Sequence, residues 1–438
     1  MKIYIETLGC PKNFNDSEMA AGILEQEGYT LIESPGEADL ILVNTCCFIN
    51  DAKVESIDRI FSLAQYKDGD KVLAVTGCLS QRYEKELFDE MPEVDLFLGV
   101  NDYQRLPEIL ESFRKGSRQT YCSDYSRGFP RHTLRKLQEN PYSATLKIAE
   151  GCDNRCAYCV IPQIRGGFRS RRQEDILEEA GMLAEKGCRE LILIAQDVTA
   201  YGMDLYDDLA LPELLRKLCR IEALRWIRLM YCYEDRITDE LIQVMAEEEK
   251  ICNYIDIPLQ HISDRVLRRM GRRSTSAGIR ETIEKLKKAM PDIHIRTTFI
   301  TGFPGESEED FQQLLDFVQE TGFQRLGVFA YSREEGTPAA DMDGQIEEDV
   351  KAYRQDALMR AQIEISLECN RKSIGKQLEV LVEERDPDGS YIGRTSYDAP
   401  EIDNSVLFTG SGELKPGDMV TVEITDAFDY YLAGKEVK

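Results

Sequence analysis

The chain has 438 residues, a length that predicts two or three domains of about 100–200 residues each. Its formal net charge is −26, which excludes a generally basic surface for gripping nucleic-acid phosphates and suits a basic partner or a small substrate better. No apolar stretch approaches the roughly 20 residues of a membrane span, and residues 1–6 enter a strand pattern without a signal-peptide segment. We therefore expect a cytoplasmic protein whose reduced cysteines serve as metal ligands or catalysts.

The first hundred residues repeat a unit in which an apolar strand is followed by a helix. The pattern predicts strands over 3–8, 39–44, 71–76 and 94–98, with helices over 16–27, 51–64 and 79–91. Strands that are apolar almost throughout and alternate with helices favour a doubly wound parallel sheet. Ligands of such sheets bind beyond the carboxyl ends of the strands.

Three cysteines follow the carboxyl ends of three of these strands. Cys10, Cys46 and Cys78 lie at equivalent places, so we expect them to meet at one edge of the sheet and form a three-thiolate site. The alternative is that they are three unrelated small core residues. Cys47 should point away from Cys46 if the strand pleat continues, so we do not count it as a ligand.

A charged, turn-rich linker is predicted over residues 117–137, and a second series of β/α units follows it. Strands are predicted over 144–149, 190–195, 226–230, 254–258, 293–300 and 325–331. The intervening helices are predicted over 174–186, 211–221, 239–248, 274–289 and 307–321, and a closing helix over 346–371. Six such units indicate an open (β/α)₆ barrel with its active site at the carboxyl ends of the strands.

The last 66 residues change to short strands separated by turn residues. Strands are predicted over 378–383, 390–395, 419–425 and 430–434, with the turns Pro-Asp-Gly and Lys-Pro-Gly-Asp between them. This pattern predicts a small antiparallel β-barrel.

A cysteine loop follows the first strand of the (β/α)₆ series. Cys152, Cys156 and Cys159 have the spacing C-x₃-C-x₂-C, with Tyr158 just before the third cysteine. Three thiolates can hold three irons of a [4Fe-4S] cluster and leave the fourth open, since closed clusters take four. A structural zinc site normally needs four ligands, and free core cysteines are not expected on so polar a loop. The spacing resembles the signature of radical S-adenosylmethionine (SAM) enzymes, in which SAM chelates the open iron.

The whole chain resembles the methylthiotransferases among radical SAM enzymes, and within them the branch that modifies a ribosomal protein. The matching strings are LGCPKN (8–13), KIAEGCDNRC (147–156), IAQD (194–197), YGMDLY (201–206), IPLQHISD (257–264), RTTFITGFPGE (296–306) and DAPEID (398–403). The tRNA-modifying branch usually has Gln-Met in place of Pro11-Lys12 and Gln-Asn in place of Gln196-Asp197. Cys47, Val198 and Glu234 depart from the usual family residues.

The resemblance implies three domains and a reaction. The domains are an N-terminal methylthiotransferase domain (1–116), a radical SAM core (138–368) and a TRAM domain (371–438). The reaction places a methylthio group on the β-carbon of an aspartate in the twelfth protein of the small ribosomal subunit. The resemblance also implies that the enzyme uses two [4Fe-4S] clusters, SAM and an external electron donor. Cys152, Cys156 and Cys159 hold the cluster that reduces SAM, while Cys10, Cys46 and Cys78 hold an auxiliary cluster that carries sulfur.

The charge of the last domain agrees with a basic protein substrate. Residues 373–438 contain six lysines and arginines against fourteen aspartates and glutamates, a net charge of −8. We expect this domain to bind the ribosomal protein and do not expect nucleic acid as the primary substrate. A merely soluble acidic surface is the plain alternative. Two other functions remain open at this stage: a tRNA (adenosine) methylthiotransferase, and a non-catalytic iron–sulfur or zinc protein.

Several residues outside the cysteines are candidates for the site. Tyr158 and Gln260 are expected to contact SAM, Tyr158 by packing near the adenine. Four arginines close to the cysteine loop suit either carboxylate capture or ordinary solvation: Arg165, Arg169, Arg171 and Arg172. Gln196, Asp197 and His261 follow barrel strands and should face the site, although a structural hydrogen bond is as good an account of His261.

Overall fold

The protein is described here by a computed structural model over residues 1–113, 116–125, 129, 135–137 and 141–437. Parts of the predicted linker (126–128 and 130–134), the first residues of the predicted radical SAM core (138–140) and Lys438 lie outside the described residues. The chain divides into two compact units. The first comprises Met1–Gln138, Ala149–Asp175 and Glu334–Thr337, and the second comprises Glu139–Ile148, Ile176–Arg333 and Pro338–Lys438.

The described chain contains strands β1 to β19 and helices α1 to α12. The strands are β1 Lys2–Thr7, β2 Thr30–Leu31, β3 Leu40–Thr45, β4 Val72–Gly77, β5 Leu96–Leu98, β6 Gln119–Tyr121, β7 Ser143–Lys147, β8 Ala149–Glu150, β9 Arg169–Ser170, β10 Glu190–Ile194, β11 Trp226–Leu229, β12 Ile251–Gln260, β13 His294–Thr301, β14 Arg325–Ala330, β15 Gln377–Arg385, β16 Tyr391–Thr395, β17 Ser405–Thr409, β18 Met419–Ala427 and β19 Tyr431–Val437. The helices are α1 Pro11–Gln26, α2 Asn50–Ala64, α3 Cys78–Glu90, α4 Leu106–Ser112, α5 Ile161–Arg165, α6 Gln173–Glu185, α7 Leu211–Leu218, α8 Asp239–Glu247, α9 Asp264–Arg269, α10 Ser276–Ala289, α11 Glu308–Thr321 and α12 Glu348–Arg371. None of these helices is both long enough and apolar enough to cross a membrane.

The first unit is built on a six-stranded parallel sheet with the order β2-β1-β3-β4-β5-β6. Alternate residues of the central strands enter two different apolar clusters, since successive side chains of a strand point to opposite faces. Ile41 and Val43 pack with residues of α2 and α3, while Leu40 and Leu42 pack with residues of α1 and α4. Helices therefore cover both faces, which confirms the predicted doubly wound sheet.

The remaining part of the first unit carries the cysteine loop. β8 and β9 pair antiparallel and close the loop at its base. Val160 and Ile164, before and within α5, are fully buried in the same apolar cluster as Leu79 of α3. This packing places residues Ala149–Asp175 in the first compact unit, although the sequence predicts them within the radical SAM core.

The second unit contains a six-stranded parallel sheet with the order β14-β13-β12-β11-β10-β7. Neighbouring strands follow one another along the chain, and β7 and β14 are the two edges, so the barrel is open as predicted. The predicted helices of this region are present within a few residues. Ser307 forms a capping box with Asp310 at the start of α11.

The C-terminal strands form a closed five-stranded barrel with the order β15-β16-β17-β19-β18. Four of the five neighbouring pairs are antiparallel, as the turn residues predict, and β17 pairs with β19 in parallel. β17 is missing from the predicted strands. Its parallel partner cannot be read from local turns, because the pairing joins segments that do not follow each other.

Candidate functional site

The structure brings Cys10, Cys46 and Cys78 into one neighbourhood at the carboxyl edge of the first sheet. Cys10 caps the amino end of α1, Cys78 is the first residue of α3, and Cys46 follows β3 directly. Burial, with repulsion from the Cys78 and Cys10 thiols, raises the pKa of Cys46 to about 12. Burial also raises the pKa of Cys78. Both thiols are therefore enclosed, and an iron that binds them would displace their protons.

Asn13 fixes the loops that carry these cysteines. Its Nδ2 donates to the carbonyl oxygens of Leu8 and Thr45, at 2.8 and 3.0 Å. Its Oδ1 lies 3.7 Å from Sγ of Cys78. One buried amide thus joins the segments before Cys10 and Cys46 to Cys78. Sequence reasoning placed Asn13 only in a loop, and its signal was an amide within the LGCPKN string.

Glycine leaves the space that the Cys46 side chain fills. Gly9 has a φ of +94°, and a Cβ added there would lie 2.6 Å from Cβ and 3.0 Å from Sγ of Cys46. Ser56 of α2 holds the backbone of Cys46, accepting from its N–H at 3.1 Å and donating to its carbonyl oxygen at 2.9 Å. Cys47 is fully buried in the apolar cluster that contains Ile60 and Leu63.

The second cysteine loop is closed on itself by backbone contacts. The N–H of Cys152 donates to the carbonyl oxygen of Gly166 at 3.0 Å, and the N–H of Cys159 donates to that of Cys156 at 3.1 Å. Gly151 has a φ of +83°, and a Cβ there would lie 2.1 Å from the carbonyl oxygen of Gly167. Burial and the Cys156 and Cys152 thiols raise the pKa of Cys159. The three cysteines therefore lie on one short, tightly closed segment.

The donor sets fit iron–sulfur clusters. Each set offers three cysteine sulfurs, the usual protein ligands of such clusters, on loops shaped by glycine. Among the residues that the structure describes, no three His, Cys, Asp or Glu side chains converge to hold a single metal ion. A [4Fe-4S] cluster needs no such convergence on one ion, because each of its thiolates binds a different iron.

Arg165 is buried among carboxylates of the protein and lies beside Cys78. Its side chain is 2% exposed and forms ion pairs with Asp16 at 2.8 Å and with Glu150 at 3.1 Å. Its Nη2 lies 3.5 Å from Sγ of Cys78. The sequence offered carboxylate capture or solvation, and the structure instead gives Arg165 buried carboxylates of the protein itself.

The other three arginines have different surroundings. Arg169 donates to the carbonyl oxygens of Gly167 and Arg165, at 2.9 and 3.2 Å. Arg171 is buried and lies 3.4 Å from the carbonyl oxygen of Asp175, whereas Arg172 is exposed. Of the four, Arg172 alone has the exposed side chain that ordinary solvation predicts.

Asp197 and His261, which follow barrel strands, both have hydrogen-bond partners within the protein. Asp197 is 1% exposed, and its carboxylate accepts from Thr199, the N–H of Ala200 and Arg236. Nδ1 of the fully buried His261 accepts from the N–H of Ser263 at 2.9 Å. Asp197 thus caps the short turn that follows β10, and His261 has the structural hydrogen bond that the sequence allowed.

Gln260 keeps features of a binding residue. It is the last residue of β12, at the carboxyl end of a barrel strand, with a φ of +70° that side chains rarely adopt. Its Oε1 is buried and has no hydrogen-bond partner among the described residues. A strained residue with an unsatisfied buried acceptor at such a place is a candidate ligand contact. Tyr158 is half-buried on the cysteine loop, and Gln196 is half-buried just after β10.

Three family profiles match successive parts of the chain. The Uncharacterized protein family UPF0004 matches residues 2–99, the Radical SAM superfamily matches residues 146–318, and the TRAM domain matches residues 374–437. The first profile contains Cys10, Cys46 and Cys78, and the second contains the whole cysteine loop.

Solved structures share the fold at low sequence identity. The radical S-adenosylmethionine methyltransferase TsrM from Kitasatospora setae, with cobalamin and a [4Fe-4S] cluster bound, has a TM-score of 0.58 and 14% identity, covering 77% of this chain and 76% of its own. The cobalamin-dependent S-adenosylmethionine radical enzyme OxsB has a TM-score of 0.54 and 14% identity, covering 82% of this chain and 56% of its own. These likenesses show a common architecture.

Curated relatives match the chain over its full length. Proteins named ribosomal protein uS12 methylthiotransferase RimO are 51% identical in Desulforamulus reducens, over 98% of each chain, and 48% identical in Lachnoclostridium phytofermentans, over 99% of each chain. The protein of that name in Clostridioides difficile is 48% identical, over 99% of this chain and 98% of its own. With the two cysteine sets, the open barrel and the small C-terminal barrel in place, this chain belongs to the RimO family of radical SAM methylthiotransferases.

Proposed function

We propose that this protein transfers a methylthio group to the β-carbon of an aspartate in ribosomal protein uS12, using SAM and two [4Fe-4S] clusters. The observation that carries the proposal is about 50% identity over the full length to proteins named for this activity. The two separate three-cysteine sets support it, because one cluster alone would leave Cys10, Cys46 and Cys78 without a role. The relatives named above are uS12 methylthiotransferases by name, which favours this substrate over tRNA.

The chain's own residues hold and enclose the reacting groups. Bound clusters and SAM supply the radical chemistry that breaks an unactivated C–H bond, which side chains alone do not perform. Cys152, Cys156 and Cys159 would hold the cluster that binds SAM, and Cys10, Cys46 and Cys78 would hold the auxiliary cluster that carries sulfur. Cys46 and Cys78 are buried, which limits the access of water to the auxiliary set.

Gln260 and Tyr158 are the proposed SAM contacts. The unsatisfied Oε1 of Gln260 offers a hydrogen-bond acceptor to a polar group of SAM. Tyr158 is half-buried on the cysteine loop, and an aromatic ring there suits packing against a flat base. Both residues are assigned to binding and not to proton transfer.

The acidic C-terminal barrel is the proposed docking element for the basic substrate. Arg394, one of the six cations of this region, is buried against Glu190 and Glu383, and two of the fourteen acids, Asp398 and Asp403, are likewise buried in ion pairs, so the acids stay in excess at the surface. Complementary charge speeds encounter and discriminates against polyanions. The reaction also requires an external electron donor, which we include in the proposal.

We further propose three domains, over residues 1–116, 138–368 and 371–438, with a linker over 117–137. The ranges matched by the three family profiles fall within these bounds.

One anaerobic experiment tests the proposal. The reconstituted protein is expected to contain about eight irons per chain and, with SAM and a reductant, to add a methylthio group to one aspartate of purified uS12, detected by mass spectrometry of its peptides. Variants in which Cys152, Cys156 and Cys159 are replaced by alanine serve as the control for radical chemistry. Modification of tRNA but not of uS12 would favour the other branch, and bound zinc without iron would reject the mechanism.

A further inference from the structure

Arg165, the last residue of α5, is a buried cation that reaches both cysteine-bearing parts of the first unit. Nη1 donates to Oδ2 of Asp16 at 2.8 Å and to Oε2 of Glu150 at 3.1 Å. Nη2 donates to Oδ1 of Asn13 at 2.7 Å and to Sγ of Cys78 at 3.5 Å. Glu150 is two residues before Cys152, so one guanidinium links the base of one cysteine loop to a sulfur of the other set.

The two terminal nitrogens of the Arg165 guanidinium contact different kinds of partner. The Nη1 side meets both carboxylates, which is what a purely structural buried pair requires. The Nη2 side turns instead to an amide oxygen and a cysteine sulfur. A thiol is a weak acceptor, whereas a thiolate that binds iron is a charged one, and hydrogen bonds to charged acceptors are the stronger kind. Arginine supplies both sides at once because its donors form a rigid planar fork.

We propose that Arg165 is a positioning residue that donates a hydrogen bond to the Cys78 thiolate of the auxiliary cluster and thereby sets the reduction potential of that cluster. Reduction adds negative charge to a cluster, and a buried cation and an N–H donor at a ligand sulfur both favour the reduced form. This inference rests on the proposed function, since it requires Cys10, Cys46 and Cys78 to hold a cluster.

The test needs the auxiliary cluster alone in the full chain. Replacing Cys152, Cys156 and Cys159 by alanine gives a background that is expected to hold about four irons. In this background we compare Arg165→Lys, Asp16→Asn and the double variant Arg165→Gln with Asp16→Asn. The double variant removes one positive and one negative charge, so the net charge of the group stays unchanged while the donor to Cys78 is lost.

The measurement is an anaerobic redox titration followed by electron paramagnetic resonance, with iron content and thermal unfolding as checks on cluster loading and folding. The double variant is expected to have a midpoint potential more negative than the background, with an altered signal of the reduced cluster. Asp16→Asn, which breaks the same ion pair and keeps the donor, is expected to move the potential to a less negative value or leave it in place.

Each outcome separates the two claims. A background protein without iron would reject Cys10, Cys46 and Cys78 as cluster ligands, and with them the proposed function. If the cluster is loaded, and its potential and signal in the double variant and in Arg165→Lys equal those of the background, the role of Arg165 alone would be overturned. Loss of iron from both Arg165 variants but not from Asp16→Asn would place Arg165 at the cluster, in support of the contact.

Discussion

Glu190, the first residue of β10, and Arg394 of β16 form a fully buried ion pair between the open barrel and the C-terminal barrel. Nη1 of Arg394 lies 2.9 Å from Oε1 of Glu190, and Nε of Arg228 donates to the same oxygen at 2.8 Å. Ser143 donates to the other oxygen at 2.8 Å. Burial alone would raise the pKa of the Glu190 carboxyl, but Arg394 and Arg228 lower this pKa to about 2. The carboxylate therefore stays ionised and joins the two barrels of the second unit.

Glu190→Gln is expected to destabilise the second unit by about 3–5 kcal/mol, because it removes the buried carboxylate that Arg228 and Arg394 share and leaves Arg394 with Glu383 alone. The measurement is urea unfolding followed by the fluorescence of Trp226, the single tryptophan of the chain, which packs in the same barrel–barrel cluster as Leu381. Glu240→Gln is the matched control, since its pair with Arg216 at 2.8 Å is exposed and should be worth less than about 1 kcal/mol. Equal effects of the two changes would contradict the role of burial.

A second contact between the open barrel and the C-terminal region, made by His294, leads us to expect a loss of stability in mild acid. His294, the first residue of β13, is half-buried with an enclosed Nδ1, and its ring lies 4.3 Å from that of Tyr397, measured between centroids. Burial and Arg325 lower the pKa of His294 to about 4, against the opposing effects of Asp398 and Asp292. Because this pKa is below the unfolded value of about 6.5, the unfolded chain binds more protons between the two values, and stability falls as the pH drops through that window.

The expected loss is on the order of 3 kcal/mol between about pH 6.5 and 4, and His294→Gln should flatten the dependence in this range. The free energy of unfolding, measured by Trp226 fluorescence at several pH values, gives the slope. The carboxyl of Glu190 titrates lower, between about pH 4.3 and its folded pKa, so its effect lies mainly below this window. A slope that persists in His294→Gln would assign the pH dependence to other groups.

The sequence predicted the architecture because the main elements have clear local signals. The central strands of both sheets are apolar, the helices between them have regular spacing, and the cysteines follow strand ends. α1 begins at Pro11 and not at residue 16, because residues 11–15 show no apolar helical spacing; proline at the first helical position was the available start signal. The two-residue strand β2 and the three-residue strand β6 are too short to show a period.

What the sequence could not show is which charges meet. Asp398 belongs to a family string and was counted as part of an acidic surface, yet it is 1% exposed and pairs with Arg325. Arg165 was grouped with three neighbouring arginines, although its partners Asp16 and Glu150 lie 149 and 15 residues away. Pairings of this kind depend on tertiary packing, for which spacing along the chain gives no rule.

Gly151→Ala is expected to remove the radical SAM cluster and leave the auxiliary cluster. The added Cβ would lie 2.1 Å from the carbonyl oxygen of Gly167, and the positive φ is unfavourable for alanine, so the loop before Cys152 must change shape. Iron content should fall from about eight to about four per chain. Gly181→Ala in α6 is the control, because nothing lies within 4 Å of its added Cβ and alanine suits a helix. Full iron content in Gly151→Ala would show that the loop tolerates the change.

The adjacent cysteines Cys46 and Cys47 give the sharpest test of the auxiliary site, since the two changes remove the same group one position apart. Cys46→Ala is expected to abolish the auxiliary cluster and reduce iron to about four per chain, because only two thiols of that set remain. Cys47→Ala should retain about eight irons and lose stability by roughly 1–3 kcal/mol, because its side chain fills a place in the apolar cluster with Ile60 and Leu63. Iron and sulfide analysis after identical reconstitution measures the loss of the cluster, and thermal unfolding measures the loss of stability.

If Cys47→Ala lost the cluster while Cys46→Ala kept it, Cys47 would be the ligand. The strand register that places Cys46 at the sheet edge would then be wrong.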